Sequence, residues 1–478
     1  MRYDANHPPV PLNPEIITDH IEPEVWDKHI PRGGFIEDFV LGTRGIETPT
    51  KFAVWAGLFA ISALVKRDVW YKWYPRPLYP NLFVIFVAPP RICAKSTCVD
   101  IGEEVLVNSQ NFINDPLLKA GKEVRTHHSK VTPEMLFDVM TPSSGEVKVQ
   151  KDAVLSDEEE EEIVQQFMEN IAKDDPKKVE ETYDVTRYAD LSLHISELTT
   201  FLGKQKYTEH LVDILTYMYD CPERADEATR TYGSKSLEKV YLTFFGATTP
   251  DSFNKSLPET AFGGGFLSRT ILVASYLPTR YYPIPKLLTG APGKDELAER
   301  LAWIAENAQG EYEFTKEAHA EYCKWYRPFK DSLVGDPLND ARARTDTNLI
   351  KLCVLLRAQR YEPGRYITRQ DFLDAKFLLE DAFESAKDLY AGANGSEYYN
   401  ILTMVTKYIQ KHNKVNRATL LREFTVKKVT PDTLTQILEH LLQSEQIRIT
   451  LSGQVQESVP EHPRTVIEFL GTGEGYYD

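Results

Sequence analysis

The chain alternates between wholly apolar runs and stretches with helical spacing. Phe52 to Val65 (FAVWAGLFAISALV) is apolar on every face and flanked by Lys51 and Lys66. It is shorter than the roughly 20 residues a membrane span needs, so it predicts a helix buried on all sides, with Thr48 or Thr50 available as an N-cap. RDVWYKWY (67 to 74) has the aromatic and β-branched bias of a strand, PRPLYPN is a proline-punctuated turn, and LFVIFVA (82 to 88) is a second strand. A short strand with no polar face belongs in the middle of a parallel sheet covered on both sides. Further strands are expected at LSLHI (191 to 195), at the end of ATRTYGSKSLEKVYLTFFG (228 to 246) and at RTILVASY (269 to 276). The second of these segments reads as a hairpin turning at Gly233-Ser234-Lys235 and running into a sheet strand. A helix is expected from about Tyr207 to Tyr219, and residues 293 to 395 are almost wholly helical in pattern.

Residues 397 to 460 form a separate small unit: helix, short helix, helix, then the hairpin-like IRITLSGQVQESV. That order suits a winged helix-turn-helix. Residues 1 to 32 read as a surface arm, and the last residues, GTGEGYYD, as a frayed end. At 478 residues the chain is long enough for about three domains. The resulting boundaries are an N-terminal arm (1–44), a core (45–290) with an acidic insertion (144–186), a helical region (291–395), and a small unit with a tail (396–478).

Charge refines this picture. A net charge of -16 argues against a protein that coats nucleic acid with its whole surface. Ser156 to Val185 carries twelve acids and three bases and reads as a solvated insertion or linker. Ile401 to Thr430 carries seven bases (Lys407, Lys411, Lys414, Arg417, Arg422, Lys427, Lys428) against Glu423 alone. Five cysteines with no C-x-x-C pair, and no charged-then-apolar leader, point to a reducing cytoplasm and no membrane role. His127-His128 reads as a loop pair without a metal-spaced partner. Trp70, Tyr71, Trp73 and Tyr74 read as sheet-edge packing, and Cys93 is not marked as a catalytic thiol.

Candidate chemistry lies in VIFVAPPRICAKSTCVDIGEEVL (84 to 106): an apolar strand, a tight polar turn, Lys-Ser-Thr and a helix. Phosphate cradles point backbone N–H groups and a helix N-terminus at an anion, with a lysine on the terminal phosphates and a hydroxyl on the metal. The turn Pro89, Pro90, Arg91, Ile92, Cys93, Ala94 leads into Lys95, Ser96 and Thr97. Pro89 and Ala94 stand where G-x-x-x-x-G-K has glycine; Pro89 removes an N–H and Arg91 adds a charge. Hydrolysis needs a carboxylate on a neighbouring strand, and Glu197 closes LSLHIS, with Ser196 in place of the usual metal-side Asp. A polar γ-phosphate sensor belongs at the tip of the strand between these two, where Thr248 and Thr249 stand. An arginine reaching a neighbour's phosphate offsets transition-state charge, and Arg269 follows a glycine turn in AFGGGFLSRTILV.

PPRICAKST, HISEL, LTFFGATTP and FLSRTILV, followed by ARTDTNLIKLCVLLRAQ and YITRQDFLDAKFLLED, together resemble the AAA+ core and lid of MCM-type replicative helicases. They are similar also to phage and prophage replication ATPases that keep Pro-Thr-Lys-Phe and Leu-Tyr-Pro-Asn before the P-loop. The resemblance spans about residues 45 to 450. It implies an α/β P-loop AAA+ (ASCE) core with a helical lid and a C-terminal winged helix, using ATP and Mg2+ in a homo-oligomeric ring, a hexamer. That ring would unwind or translocate on single-stranded or forked DNA in a bacterial host's cytoplasm, with replication proteins as partners. Lys95, Glu197 and Arg269 would be catalytic, Ser96 would hold the metal, Arg269 would act in trans, and Arg344 would be the second sensor acting from the lid. In that family the hairpin before the third strand grips DNA; here it presents Arg230, Lys235 and Lys239, with Lys235 expected at its tip. The terminal unit adds Lys414, Arg417, Lys427 and Lys428. Two rivals remain: an ATP-binding initiator or helicase-loader scaffold with weak or no hydrolysis, and a DNA-binding regulator acting through the terminal unit.

Overall fold

The computed structural model describes residues 8–12, 24–91, 93–142, 146–152, 178–184, 188–202, 208–229, 233–256, 265–276, 279–334, 336, 338–362, 364–393, 397–425, 429–443, 447–456, 458–460 and 462–470. The chain divides into two compact units, Met1–Ala386 and Lys387–Asp478. The helical region from residue 294 onward therefore falls mostly within the first unit, with no break near residue 291.

Five strands build the central sheet: β1 (Phe83–Val87), β2 (Thr126–His127), β3 (Asp190–Ile195), β4 (Tyr241–Thr248) and β5 (Thr270–Ala274). All pair in parallel, in the order β5-β1-β4-β3-β2. The strand ending in Thr248 thus lies between the loop-bearing strand and the strand leading to Glu197, as the sequence implies. Phe83 pairs with Phe244 and Thr270, and Val87 pairs with Thr248 and Ala274, so all the strands run toward one end of the sheet.

Burial on both faces explains the absence of polar alternation in β1. Val84 and Phe86 join one core with the helices α1 (Phe35–Gly42), α2 (Thr50–Val65) and α3 (Lys95–Ser109). Phe52 of α2 stacks on Phe86 at 4.3 Å, and Phe59 stacks on Phe245 of β4 at 4.5 Å. On the opposite face Phe83 meets Tyr219, whose helix spans Thr208–Tyr219, at 5.1 Å, and Phe244 meets Phe201 at 5.6 Å. The all-apolar helix α2 is buried as predicted, beginning at Thr50 after the N-cap Pro49.

Several expectations are corrected. RDVWYKWY supplies only Val69–Tyr71 as strand, and it belongs to a second parallel sheet with Gly310–Phe314 and Tyr366–Ile367. The region 293 to 395 is therefore not wholly helical. Gly310–Phe314 is broken by two glutamates and Tyr366–Ile367 is only two residues long, so neither stands out in the sequence. Trp70 and Tyr71 are half-buried, but Tyr74 is 95% exposed and packs no edge. The acidic insertion is bracketed by a ribbon, Glu146–Asp152 against Lys178–Asp184; its acidic centre lies outside the described residues. The hairpin Arg224–Thr229 with Gly233–Glu238 pairs Lys235 with Glu227, so Gly233–Lys235 is strand rather than turn; residues 230–232 lie outside the described residues. Register is set by the paired, buried Ala225 and Leu237, because a one-residue slip would expose both.

The second unit holds helices Glu397–His412, Arg417–Thr425 and Pro431–Gln443. Its antiparallel sheet is ordered Lys414–Asn416, Val466–Phe469, Ile447–Leu451, Gln454–Val455. The core is built on Ile409, Phe424, Leu434, Ile437, Leu438, Ile449 and Ile467. Ile447–Leu451 and Gln454–Val455 form the hairpin expected at IRITLSGQVQESV, whereas Lys414–Asn416 and Val466–Phe469 were not legible in the sequence, and residues 471–478 lie outside the described residues.

Candidate functional site

At the C-terminal end of the central sheet, the N–H of Ala88 donates to the Thr248 carbonyl at 3.2 Å. The turn that follows needs left-handed backbone twice, at Arg91 (φ 61°) and at Ala94 (φ 41°). Ala94 is the N-cap of α3 and stands where a phosphate loop ordinarily has glycine. The Thr48 hydroxyl holds its carbonyl at 3.4 Å. Behind Thr48, the buried Arg280 guanidinium donates to the Thr48 carbonyl at 2.7 Å and the Thr50 hydroxyl at 3.2 Å, and pairs with Glu24 at 2.5 Å. Cys93 is buried against the Ser275 carbonyl and its thiol pKa is raised by burial, which rules against a reactive thiolate. Ile92 lies outside the described residues.

The turn fits an anionic ligand. A helix begins with N–H groups that have no intrahelical acceptor, and the first bond of this one runs from Cys98 N to Ala94 O at 3.1 Å. The amides of Lys95, Ser96 and Thr97 precede it, and the side chains of Ser96 and Thr97 are exposed. Lys95 Nζ donates to the Ala88 carbonyl at 3.2 Å; burial lowers its pKa, against the opposing charge of Glu197. An ammonium partly stripped of water and resting on a neutral carbonyl favours an anion beside it. Glu197 caps the short helix Leu198–Phe201 and accepts from the Thr199 hydroxyl at 2.8 Å. Thr248 is buried, while Thr249 is half-buried and its hydroxyl accepts the Ser252 N–H at 3.2 Å, capping the helix Pro250–Ser256.

The opposite end of the sheet holds the two arginines. Arg269 immediately precedes β5, and Arg344 is the N-cap residue of the helix Thr345–Ala358. Asp220 joins them: its Oδ2 is 3.0 Å from Arg269 Nη2 and its Oδ1 is 3.3 Å from Arg344 Nη1. Beside them the buried Lys351 donates to Asn81 Oδ1 at 2.6 Å and its Nζ lies 3.5 Å from the Tyr219 ring centre. Burial pushes Lys351 down to about 7. A cavity of 240 Å³ adjoins the cluster, lined by Arg76, Asn81, Asp220, Arg344 and Lys351 among others. Four steps of β1 separate the two ends, about 13 Å at 3.3 Å per residue. Arg344 therefore sits beside Arg269, at the end of the sheet away from Lys95. Asp220 carried no sequence signal beyond closing a helix.

The candidate DNA contacts are dispersed. Lys235 is not at a hairpin tip; it forms an ion pair with Asp138. Lys239 lies at the hairpin base with φ 51°, its Nζ 5.9 Å from the Tyr188 ring. Arg230, Lys427 and Lys428 lie outside the described residues. In the second unit Lys414 is exposed but faces Glu468 across the sheet, with Arg448 on the far side. Arg417 is corrected from surface contact to buried anchor: it is 2% exposed and its Nη2 donates to the Thr435 hydroxyl at 2.7 Å.

His127 and His128 are also more than a loop pair. His127 ends β2, and His128 Nε2 is 3.0 Å from Glu103 of α3. The other oxygen of Glu103 lies 3.6 Å from Nδ1 of the buried His194, too long for a hydrogen bond. Burial, aided by the nearby His128, lowers His194 to about 3 and keeps it neutral, while burial raises Glu103. The signal was His194 itself, a lone imidazole in an apolar strand. Among the described residues no group of three or more His, Cys, Asp or Glu is arranged to hold a metal, and no helix is long and apolar enough to cross a membrane.

No protein-family model and no curated protein matches the chain. Among solved structures it is similar to a full-length MCM homolog from Methanopyrus kandleri, with 13% identity, a TM-score of 0.39 and 77% of this chain covered. The match spans 63% of that protein's length.

Proposed function

We propose that the chain is a ring-forming, ATP-hydrolysing AAA+ subunit of MCM-like, phage or prophage type, a hexamer by preference, acting on single-stranded or forked DNA as a replicative helicase. One observation supports this above others: Lys95 and Glu197 meet at one end of a β5-β1-β4-β3-β2 parallel sheet, while Arg269 and Arg344 meet at the other. Such a chain holds two halves of a site that it cannot close by itself, and a second copy supplies the missing half.

In this reading the amides of Lys95 to Thr97 and the Lys95 ammonium hold the phosphates of ATP, and the Ser96 hydroxyl holds Mg2+. Bound nucleotide and metal would supply the phosphoryl group and neutralise its charge. Glu197 orients and deprotonates the attacking water, and Thr248 or Thr249, at the end of β4, reports on the terminal phosphate. Arg269 and Arg344 both act on the neighbour's nucleotide, Arg344 from the start of the helix Thr345–Ala358. The helices after residue 294 would serve as lid, and the unit from Lys387 as a winged helix. DNA contact is assigned to the hairpin Arg224–Glu238 with Lys239 at its base, and to the exposed Lys414. Pro89 and the exposed Ser196 favour one rival, an ATP-binding loader or initiator with little turnover. Steady-state ATPase measurements with and without single-stranded DNA separate the two: the motor is stimulated by DNA, and a scaffold is not.

A further inference from the structure

Asp220 is the only residue described here as touching both arginines. Its two carboxylate oxygens each take one guanidinium, so two like charges lie side by side around a single anion. The three parts come from three rigid elements: the end of the helix Thr208–Tyr219, the start of β5 and the start of the helix Thr345–Ala358. The Arg269 side chain is 11% exposed and has a second hold, Nη1 on the Gly265 carbonyl at 3.0 Å. The Arg344 side chain is 36% exposed, and Asp220 sets its direction. Asp220 is itself fixed: its N–H donates to the Tyr217 carbonyl at 3.2 Å, and that of Cys221 donates to the Met218 carbonyl at 3.0 Å. The buried Tyr219 ring against Lys351 anchors the turn beneath it. Ion pairs as exposed as these add little to folding stability, so the arrangement is better explained by geometry: an oxyanion held between two arginines is the pattern in which a phosphate oxygen is received.

We propose that Asp220 is a positioning residue, whose carboxylate aligns Arg269 and Arg344 as a pre-aimed pair for the terminal phosphate of a nucleotide bound by a neighbouring copy of this chain. The inference rests on the ATPase reading above. Its effect falls on the transition state rather than on ATP binding, because the arginines belong to the subunit that does not hold that nucleotide.

The test is steady-state ATP hydrolysis by full-length Asp220→Ala, Asp220→Asn and Asp220→Glu, with the wild type alongside. Expected are a kcat lowered about 10- to 100-fold in the first two, a KM changed less than about threefold, and partial recovery in Asp220→Glu. An equimolar mixture of Asp220→Ala with Lys95→Ala subunits should hydrolyse more ATP than either alone, since one brings an intact loop and the other an intact arginine edge. The near-isosteric Asn variant covers the case in which the Ala variant fails to fold. Unchanged turnover in both Asp220→Ala and Asp220→Asn, a raised KM at unchanged kcat, or no recovery on mixing overturns the proposal. A wild type that does not turn over ATP overturns the ATPase reading itself, and the inference with it.

Discussion

The two ends of the central sheet are built on opposite principles. At the loop end the polar groups are held mainly by backbone: the Ala88 N–H by the Thr248 carbonyl, Lys95 by the Ala88 carbonyl, and the Ala94 carbonyl by the Cys98 N–H together with the Thr48 hydroxyl. At the arginine end they are held by charge, through Asp220, over the buried aromatic ring of Tyr219. A backbone cradle keeps its donors ready for an anion that arrives free in solution. A charged cluster keeps its cations apart until another anion displaces or joins the one already there. In the proposed reading the first end serves binding and the second a partner's chemistry.

Lys95→Ala and Arg269→Ala probe that division most strongly. The first should remove ATP binding and hydrolysis together. The second should leave ATP affinity within about threefold while turnover falls by about 10³ or more. Calorimetric binding and steady-state rates decide; if Arg269→Ala loses binding as Lys95→Ala does, the two ends are not separate. Glu197→Gln should come next, keeping affinity and losing about 10² to 10³ in kcat.

Stability against pH separates the ends without any ligand. His194, on the loop-side half of β3, has its folded pKa lowered to about 3, so the unfolded chain binds the extra proton below about pH 6.5. Stability from this group is present above that value and is lost as pH falls toward 3. Lys351, at the arginine end, is lowered to about 7. The unfolded chain again binds more protons, now between about pH 7 and 10.4, so its penalty is full below 7 and fades as pH rises. His194→Phe should flatten the acid limb of a melting profile and Lys351→Met the alkaline limb, each by a few kcal/mol at full titration. Crossed effects would mean that burial does not control the two groups. The smallest change is Ala94→Gly: with φ at 41°, glycine relieves the left-handed cost and should raise stability by about 1 kcal/mol or less, read from the denaturation midpoint.

The same contrast marks what the sequence reveals. β1, β3, β4 and β5 were legible because a strand covered on both faces is mostly apolar, a pattern that survives without knowing its neighbours even with Ser192 and His194 in β3. Glu197 was legible because it follows such a strand closely, and Lys95 because it opens the helix after the turn that ends one. β2 was not, with two residues and no run to read, and neither were Gly310–Phe314, broken by two glutamates, and the two-residue Tyr366–Ile367. Lys235 was misplaced because hairpin register follows the buried pair Ala225 and Leu237, a tertiary fact. Arg417 looked like one base among seven, and only packing against Thr435 shows it buried. Arg344 and Asp220 lie 124 residues apart, and no local pattern joins them.

The support beneath Ala94 comes from distant parts of the chain. Thr48 grips the turn, but Thr48 is itself held by Arg280 and, through that guanidinium, tied to Glu24. During synthesis the turn leaves the ribosome long before Arg280 is made. Its final brace therefore arrives only after β5 has been translated, and a nascent chain stalled earlier would carry Lys95 on an unfinished foundation.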